Sequence, residues 1–258
     1  VAVRIRRTRV GGHKKPAYRF VVADSRSARD GRSLDILGHY DPRQDPISAV
    51  IDAMRQVPRE AFVPESLRAA AYSDQPLPIG EGQTISQPYI VGFMTEALGL
   101  KGDENVLEIG TGSGYAAAVL AQIVRAVHTI ERIPLLARRA RDTLRRLGYD
   151  TVEVLEGDGS VGWTAAAPYD AIVATAEAPH IPPSLRAQLR PGGRLVMPVE
   201  DAAEGQSLIC MVRGNDGEDH VESMQPVRFV PLIGAEGWPD EAAWHAPMTL
   251  SVSLNINF

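Results

Sequence analysis

The 258-residue chain is nearly free of cysteine, and its single thiol, Cys210, sits in the strand-like stretch "SLICMVRG". That excludes a disulfide framework and a cysteine metal cluster, and leaves a buried structural thiol. The six histidines, His13, His39, His128, His180, His220 and His245, show no His-x-x-x-His spacing, so surface or packing roles are assigned to them rather than metal ligation. No apolar run approaches the roughly 20 residues that would cross a bilayer. The first ten residues, "VAVRIRRTRV", are basic but lack the apolar centre of a secretory leader. Internal repeats and low-complexity tracts are also missing. The expectation is a cytosolic protein without a membrane partner or a metal.

What is present is unevenly charged. Residues 1–44 carry 11 Lys/Arg against 4 Asp/Glu, a balance of +7, and the remainder carries 16 against 28, a balance of −12. Such a break marks segments with different partners. The acidic remainder argues against nucleic acid as its substrate, because neutralising phosphates takes clustered cations. The prolines of "YDPRQDP" break any regular element there and place a boundary near residue 44. Three units are expected: a basic segment over 1–44, a body over 45–238 and a tail over 239–258.

The basic segment reads as short strands in "AVRIRR", "AYRFVVADS" and "SLDILGHY". In the body, "ISAVIDAMRQV" and "QPYIVGFMTEALGL" have helical apolar spacing, the second running to near Gly102. Strands then alternate with helices: strand 104–109, helix 114–124, strand 127–131, helix 134–147, strands 152–156 and 170–175, helix 183–190 and strand 193–199. This alternation predicts an α/β fold, a doubly wound, mostly parallel sheet with helices on both faces. "SLICMVRG" and "ESMQPVRFVPL" read as a closing antiparallel pair. The arginines of "ARRARDTLRR" form the solvated face of a packed helix rather than an RNA site.

At the first strand-to-helix turn stands "VLEIGTGSGY", with Gly110, Gly112 and Gly114. In an open α/β sheet such a turn presents its backbone to a ligand beyond the carboxyl ends of the strands. The spacing is one residue short of the dinucleotide fingerprint. Glu108 is the stronger sign. A carboxylate beside the loop would repel a pyrophosphate about 5 Å away by roughly 3 kcal/mol at an effective dielectric of 20. It suits a cationic ligand, the ammonium group of S-adenosylmethionine. Glu131, at the end of the second strand, can accept from both ribose hydroxyls. Asp158 and Gly159, after the third, can accept from the adenine amine and admit the ring close to the backbone. Three acidic residues at three successive strand ends make S-adenosylmethionine the expected cofactor.

The stretches "AMRQVPREAFVPE", "PLPIGEGQTISQPYIVGFMTEAL", "VLEIGTGSGYAAAVLA", "GDG", "APYDAIVATAEAP", "PGGRLVMPV" and "VRFVPL" follow in that order between about Ile47 and Trp238. Over these three quarters of its length the chain resembles the protein-L-isoaspartate O-methyltransferases. The resemblance implies a Rossmann-like methyltransferase fold and methyl transfer from S-adenosylmethionine to the free carboxylate of L-isoaspartyl residues in damaged proteins, with repair through a succinimide. It implies that Ser86 is the active-site serine and that Thr84, Ile85, Gln87 and Pro88 shape the acceptor lip. A carboxyl with a reference pKa near 4 is already ionised at neutral pH, so this nucleophile needs no general base. "GEGQTISQP" accordingly holds no His, Lys or Cys. A serine hydrolase is poorly supported, since neither Ser86 nor Ser113 lies in a Gly-x-Ser-x-Gly elbow.

Residues 1 to about 42 resemble the amino-terminal half of the sixteenth protein of the bacterial small ribosomal subunit, most specifically in "KKPAYRFVVADSRSARDGR". That implies RNA phosphate contacts through Arg4, Arg6, Arg7, Lys14, Lys15, Arg26 and Arg29. At the other end "MTLSVSLNINF" alternates apolar and polar residues and predicts a strand that adds to a sheet edge. Two rival functions remain at this point: carboxyl methylation of aspartyl side chains in a modified peptide, and an RNA-binding or ribosome-associated protein acting through residues 1–44.

Overall fold

The computed structural model describes the backbone of residues 3–9, 18–24 and 35–40, and residues 46–203, 205–214 and 218–239, with side chains from 49 onward. The first three segments form an antiparallel sheet in the order β1 (Val3–Arg9), β2 (Tyr18–Asp24), β3 (Asp35–Tyr40). The strand expected in "MTLSVSLNINF" lies outside the described residues.

The centre of the body is a seven-stranded sheet. Its strands are β6 (Asn105–Ile109), β7 (Ala126–Glu131), β8 (Val152–Glu156), β9 (Tyr169–Ala174), β10 (Leu189–Asp201), β11 (Gly205–Val212) and β12 (His220–Pro226). They lie in the order β12-β11-β10-β9-β6-β7-β8. From β10 to β8 neighbours run parallel, and β11 and β12 close the other edge antiparallel. The chain leaves β6 to build β7 and β8 on one side and then crosses to β9 on the other. The end of β6 is therefore the point where strand order reverses, the place such sheets reserve for ligands.

Strand β6 has helices on both sides, and its core positions are apolar as that demands. Leu107 and Ile109 enter one cluster with Ile130, Tyr169, Ile172 and Leu185. Val106 enters the other, with Met94, Ala117, Leu120 and Val127. A fully buried leucine such as Leu107 contributes about 1.5–3 kcal/mol relative to leaving it exposed. Alternation puts Glu108 on the same face as Val106, inside the protein.

The helices are α1 (Pro46–Gln56), α2 (Pro88–Ala97), α3 (Tyr115–Ala121), α4 (Pro134–Arg146) and α5 (Pro183–Gln188). Helix α2 stops earlier than its apolar spacing suggests. Gly99 adopts φ +63°, a left-handed conformation that closes a helix, and its N–H returns to the Glu96 carbonyl at 2.9 Å. Helix α4 buries Leu136, Ala137, Ala140 and Leu144 and turns most of its arginines outward. Cys210 is a buried free thiol. Two short 3-10 helices, Arg59–Phe62 and Glu65–Ala70, lead into a hairpin of β4 (Leu77–Gly80) and β5 (Gln83–Ile85). This hairpin was not legible as such, and it leads into the residues expected to form the acceptor lip. Among the described residues no helix is long and apolar enough to cross a membrane.

Candidate active site

The loop after β6 is held by its neighbours' backbones. The N–H groups of Gly110 and Thr111 both donate to the Ile130 carbonyl, at 2.9 and 3.2 Å. Gly110 has φ +89°, and a Cβ there would stand 2.5 Å from Thr175 Oγ1, which itself donates to the Gly110 carbonyl at 2.8 Å. No other residue meets both conditions without strain. Gly114 closes the loop against Leu144 and Ala140 of α4, and Gly112 faces Ile79 of the hairpin, 3.4 Å from where its Cβ would be. The glycine loop therefore lies between the sheet ends and β4.

The three expected acidic residues sit at the ends of three adjacent strands, in different environments. Glu108 is 0% exposed. Its Oε2 accepts from Thr129 Oγ1 at 2.6 Å, Thr129 shares a hydrogen bond with Thr111 Oγ1 at 2.6 Å, and Oε1 is buried without a partner. Burial, opposed by the Thr129 donor and helped by the nearby Glu131, pushes this carboxyl up to about 8. The carboxylate expected beside the loop is thus an enclosed group, because the β6 alternation turns it inward. Glu131 accepts from the Gly112 N–H at 2.8 Å and the Ile133 N–H at 2.9 Å. Asp158 accepts from the Ser160 N–H and hydroxyl through Oδ1 and from the Ala235 N–H through Oδ2. Gly159 lies tight on β6, where an added Cβ would be 2.5 Å from Ile109 Cγ2.

Ser86 lies between β5 and α2, half-buried, and its carbonyl accepts from Arg59 Nη2 at 2.7 Å. Its hydroxyl does not cap α2. The N-cap position is Gln87, without a side-chain cap, and Asp74 Oδ1 takes the Tyr89 N–H at 2.9 Å in its place. Of the other lip residues, Thr84 is exposed and Ile85 is buried beside Phe62, Ile79 and Tyr115. Gln87 donates to Asp74 Oδ2 at 3.0 Å, and Pro88 is buried at the start of α2.

Sequence reasoning missed several residues. Thr129 was findable, because parallel register sets it beside Glu108. Arg59 and Asp74, in segments without periodicity, gave no signal. Nor did the strap 233–238, whose Trp238 Nε1 donates to buried Glu177 Oε2 at 2.8 Å and whose Glu236 takes the Ser184 N–H at 2.8 Å. Among the described residues no group of three or more His, Cys, Asp or Glu could hold a metal.

The residues present fit S-adenosylmethionine. A buried carboxyl with an unpartnered oxygen, a loop of three left-handed glycines whose Gly110 leaves no room for a Cβ and a second carboxylate at the loop's flank meet at the reversal point of the sheet. Fold and site together define a Rossmann-like, S-adenosylmethionine-dependent methyltransferase. Residues 43–237 match the family model of protein-L-isoaspartate(D-aspartate) O-methyltransferase, and the chain belongs to that family. It is similar to protein-L-isoaspartate O-methyltransferase 2 of Pelobacter propionicus, 60% identical over 74% of this chain and 84% of that protein. A Marinobacter nauticus relative with the same description is 53% identical over 84% of this chain and 99% of that protein. A solved protein-L-isoaspartate O-methyltransferase superposes with TM-score 0.69 at 29% identity, over 73% of this chain and 62% of that one, less than two thirds of its length. A Plasmodium falciparum protein described as belonging to the same family, in complex with S-adenosyl-L-homocysteine, shares the fold at TM-score 0.64 and 23% identity, over 74% of this chain and 93% of that one. The enzyme transfers a methyl group from S-adenosylmethionine to isoaspartyl residues of proteins. Residues 9–56 match the model of ribosomal protein S16, so the ribosomal resemblance extends past residue 42 into α1 and overlaps the methyltransferase match over 43–56.

Proposed function

We propose that the acceptor is the free α-side carboxylate of an L-isoaspartyl residue, aimed by Ser86. The observation that carries this reading is the hairpin β4–β5, which sets the Ser86 lip against the glycine loop through Ile79 and Ile85. When bound, S-adenosylmethionine supplies a methyl group on a positively charged sulfur, and the bonding pair stays on sulfur as the acceptor oxygen takes the carbon. In this reading Glu131 takes the ribose hydroxyls, Asp158 and Gly159 receive the adenine, and Gly110, Gly112 and Gly114 hold the amino-acid end; the strand-end position of the carboxylates and the glycine loop at the reversal point support it. Glu108, buried beside the loop, would serve that end as a latent anion.

Ser86 donates its hydroxyl to one carboxylate oxygen and leaves the other directed at the methyl carbon. No residue has to remove a proton, so the site works by alignment, an effect that can reach roughly 7–11 kcal/mol. The next backbone amide nitrogen of the peptide then attacks the ester carbonyl without the enzyme, the methoxy group leaves with the amide proton as methanol, and a succinimide results. Replacing one oriented donor costs about 100-fold or more in turnover. Ser86→Ala is therefore expected to lower methylation of an isoaspartyl peptide about 100-fold, with affinity for S-adenosylhomocysteine changed by less than about threefold. Labelled-methyl transfer to matched isoaspartyl and aspartyl peptides tests the acceptor, and equal transfer to both would favour the aspartyl side chain instead.

For a second activity, the ribosomal match over residues 9–56 supports Lys14, Lys15, Arg26 and Arg29, and the +7 balance of residues 1–44 alone supports Arg4, Arg6 and Arg7. We propose that Arg4, Arg6, Arg7, Lys14, Lys15, Arg26 and Arg29 contact RNA phosphates, and that the enzyme works in the cytosol. Binding to small-subunit ribosomal RNA should then weaken steeply with salt.

A further inference from the structure

Arg59 has no part in the chemistry above, yet among the described residues it is the largest fully buried side chain, 1% exposed. Among the described residues no carboxylate oxygen lies within 4.0 Å of its guanidinium. Burying a cation without a directly paired carboxylate is costly: desolvation lowers its pKa, and Tyr115 and the more distant charge of Asp74 offset only part of that. Its contacts indicate what this cost sustains. Nε donates to the Ala71 carbonyl at 2.7 Å and Nη2 to the Ser86 carbonyl at 2.7 Å. The guanidinium carbon stands 4.6 Å from the ring centroid of Tyr115, the residue that follows Gly114 and opens α3. Phe62, on the same 3-10 turn as Arg59, meets that ring edge-on at 5.7 Å between centroids. One rigid, planar group thus touches both the acceptor lip and the end of the glycine loop. Asp74 takes Gln87 Nε2 and the Tyr89 N–H, so the peptide carrying Ser86 is held at Ser86 by one residue and just after it by another.

We propose that Arg59, with Asp74 as its counterpart, is a positioning residue for methyl transfer, fixing the Ser86 hydroxyl relative to the glycine loop. The inference rests on the reading of Ser86 as the residue that aims the acceptor. Arg59 acts through Ser86, not on the substrate. A displacement of about 1 Å at a reacting centre can cost 100-fold, and the Arg59 guanidinium spans the two halves that must stay aligned. Lysine retains the charge but offers no planar fork, so it cannot hold both carbonyls and face the ring.

The test compares Arg59→Lys, Asp74→Asn, Ser86→Ala and the Arg59→Lys/Ser86→Ala double variant of the full chain. Calorimetry with S-adenosylhomocysteine counts competent sites, and kcat and KM are measured on an isoaspartyl peptide. Arg59→Lys should lower kcat per site about 10- to 100-fold, Asp74→Asn should lower it in the same sense, and cofactor affinity should move less than about threefold. In the Ser86→Ala background the lysine substitution should cost less than about threefold, since no hydroxyl remains to be misplaced. A merely structural role would lower site number or cofactor affinity along with kcat. Unchanged kcat in Arg59→Lys, or an undiminished loss in the double variant, overturns the proposal while a low Ser86→Ala turnover keeps the Ser86 reading. Normal turnover in Ser86→Ala overturns that reading and this one together. Should Arg59→Lys bind no cofactor, unchanged kcat in Asp74→Asn overturns the two-point hold, and a lowered kcat at full cofactor affinity supports it.

Discussion

Glu108 is a carboxyl whose ionised form the fold makes expensive. Burial pushes its carboxyl to about 8, whereas in the unfolded chain it titrates near an ordinary value of about 4.3. Between those values the folded state keeps a proton that the unfolded chain has lost. The contribution of this group to stability is therefore full below about pH 4.3 and declines as pH rises towards about 8. Glu108→Gln keeps an acceptor for Thr129 and removes the titration, so its urea-unfolding stability should change less between about pH 5.5 and pH 8 than that of the parent. Equal slopes would mean that the carboxyl is not held neutral. A cation placed over the loop favours the ionised form. Cofactor binding near pH 7 should then release close to one proton, seen as a dependence of the calorimetric enthalpy on the buffer's ionisation enthalpy, and Glu108→Gln should show none.

At the scale of elements, the strap 233–238 shows what packing alone decides. An added Cβ at Gly234 would collide with Asp158 Oδ1 and Ser160 Oγ, while the neighbouring N–H groups of Ala235 and Glu236 bind those same two residues. Gly234→Ala should displace the strap, cost about 1–3 kcal/mol as an overpacked contact does, and weaken cofactor binding through Asp158. Unaltered affinity with lowered thermal stability would separate the strap from the adenine side of the site. The helices and parallel strands were legible because each has a period and a stop signal: α4 begins at Pro134 and ends before Gly148. The glycine loop and the acidic strand ends followed from that order. The inward turn of Glu108 was implicit in the β6 alternation and went unread, whereas the capping of α2 by Asp74 and the strap were not legible. Their partners lie up to 77 residues away, and no local pattern encodes such a contact.

At the scale of the molecule, the sheet that builds the site is formed by strands between Asn105 and Pro226, and none of β1, β2 or β3 joins it. The methyltransferase match begins at residue 43 and the ribosomal match ends at residue 56, so α1 belongs to both and marks the shared boundary. Helix α1 packs on α2, whose first turn is held by Asp74 beside the Ser86 lip. A deletion must therefore spare α1. A chain beginning at residue 43 should keep kcat and KM for an isoaspartyl peptide within about threefold, because each contact described at the site, the Arg59 contacts included, lies beyond the cut. The same deletion removes ten of the eleven basic residues of the first 44. If those residues meet phosphates, the full chain's affinity for ribosomal RNA should fall with salt at a slope that grows with the number of contacts, about −0.7 to −0.9 per neutralised phosphate, and the shortened chain should lose both affinity and slope. Salt-independent binding, or equal binding by both chains, would assign RNA contact elsewhere or nowhere. A drop in turnover with full cofactor binding would show instead that the basic segment completes the acceptor side of the enzyme.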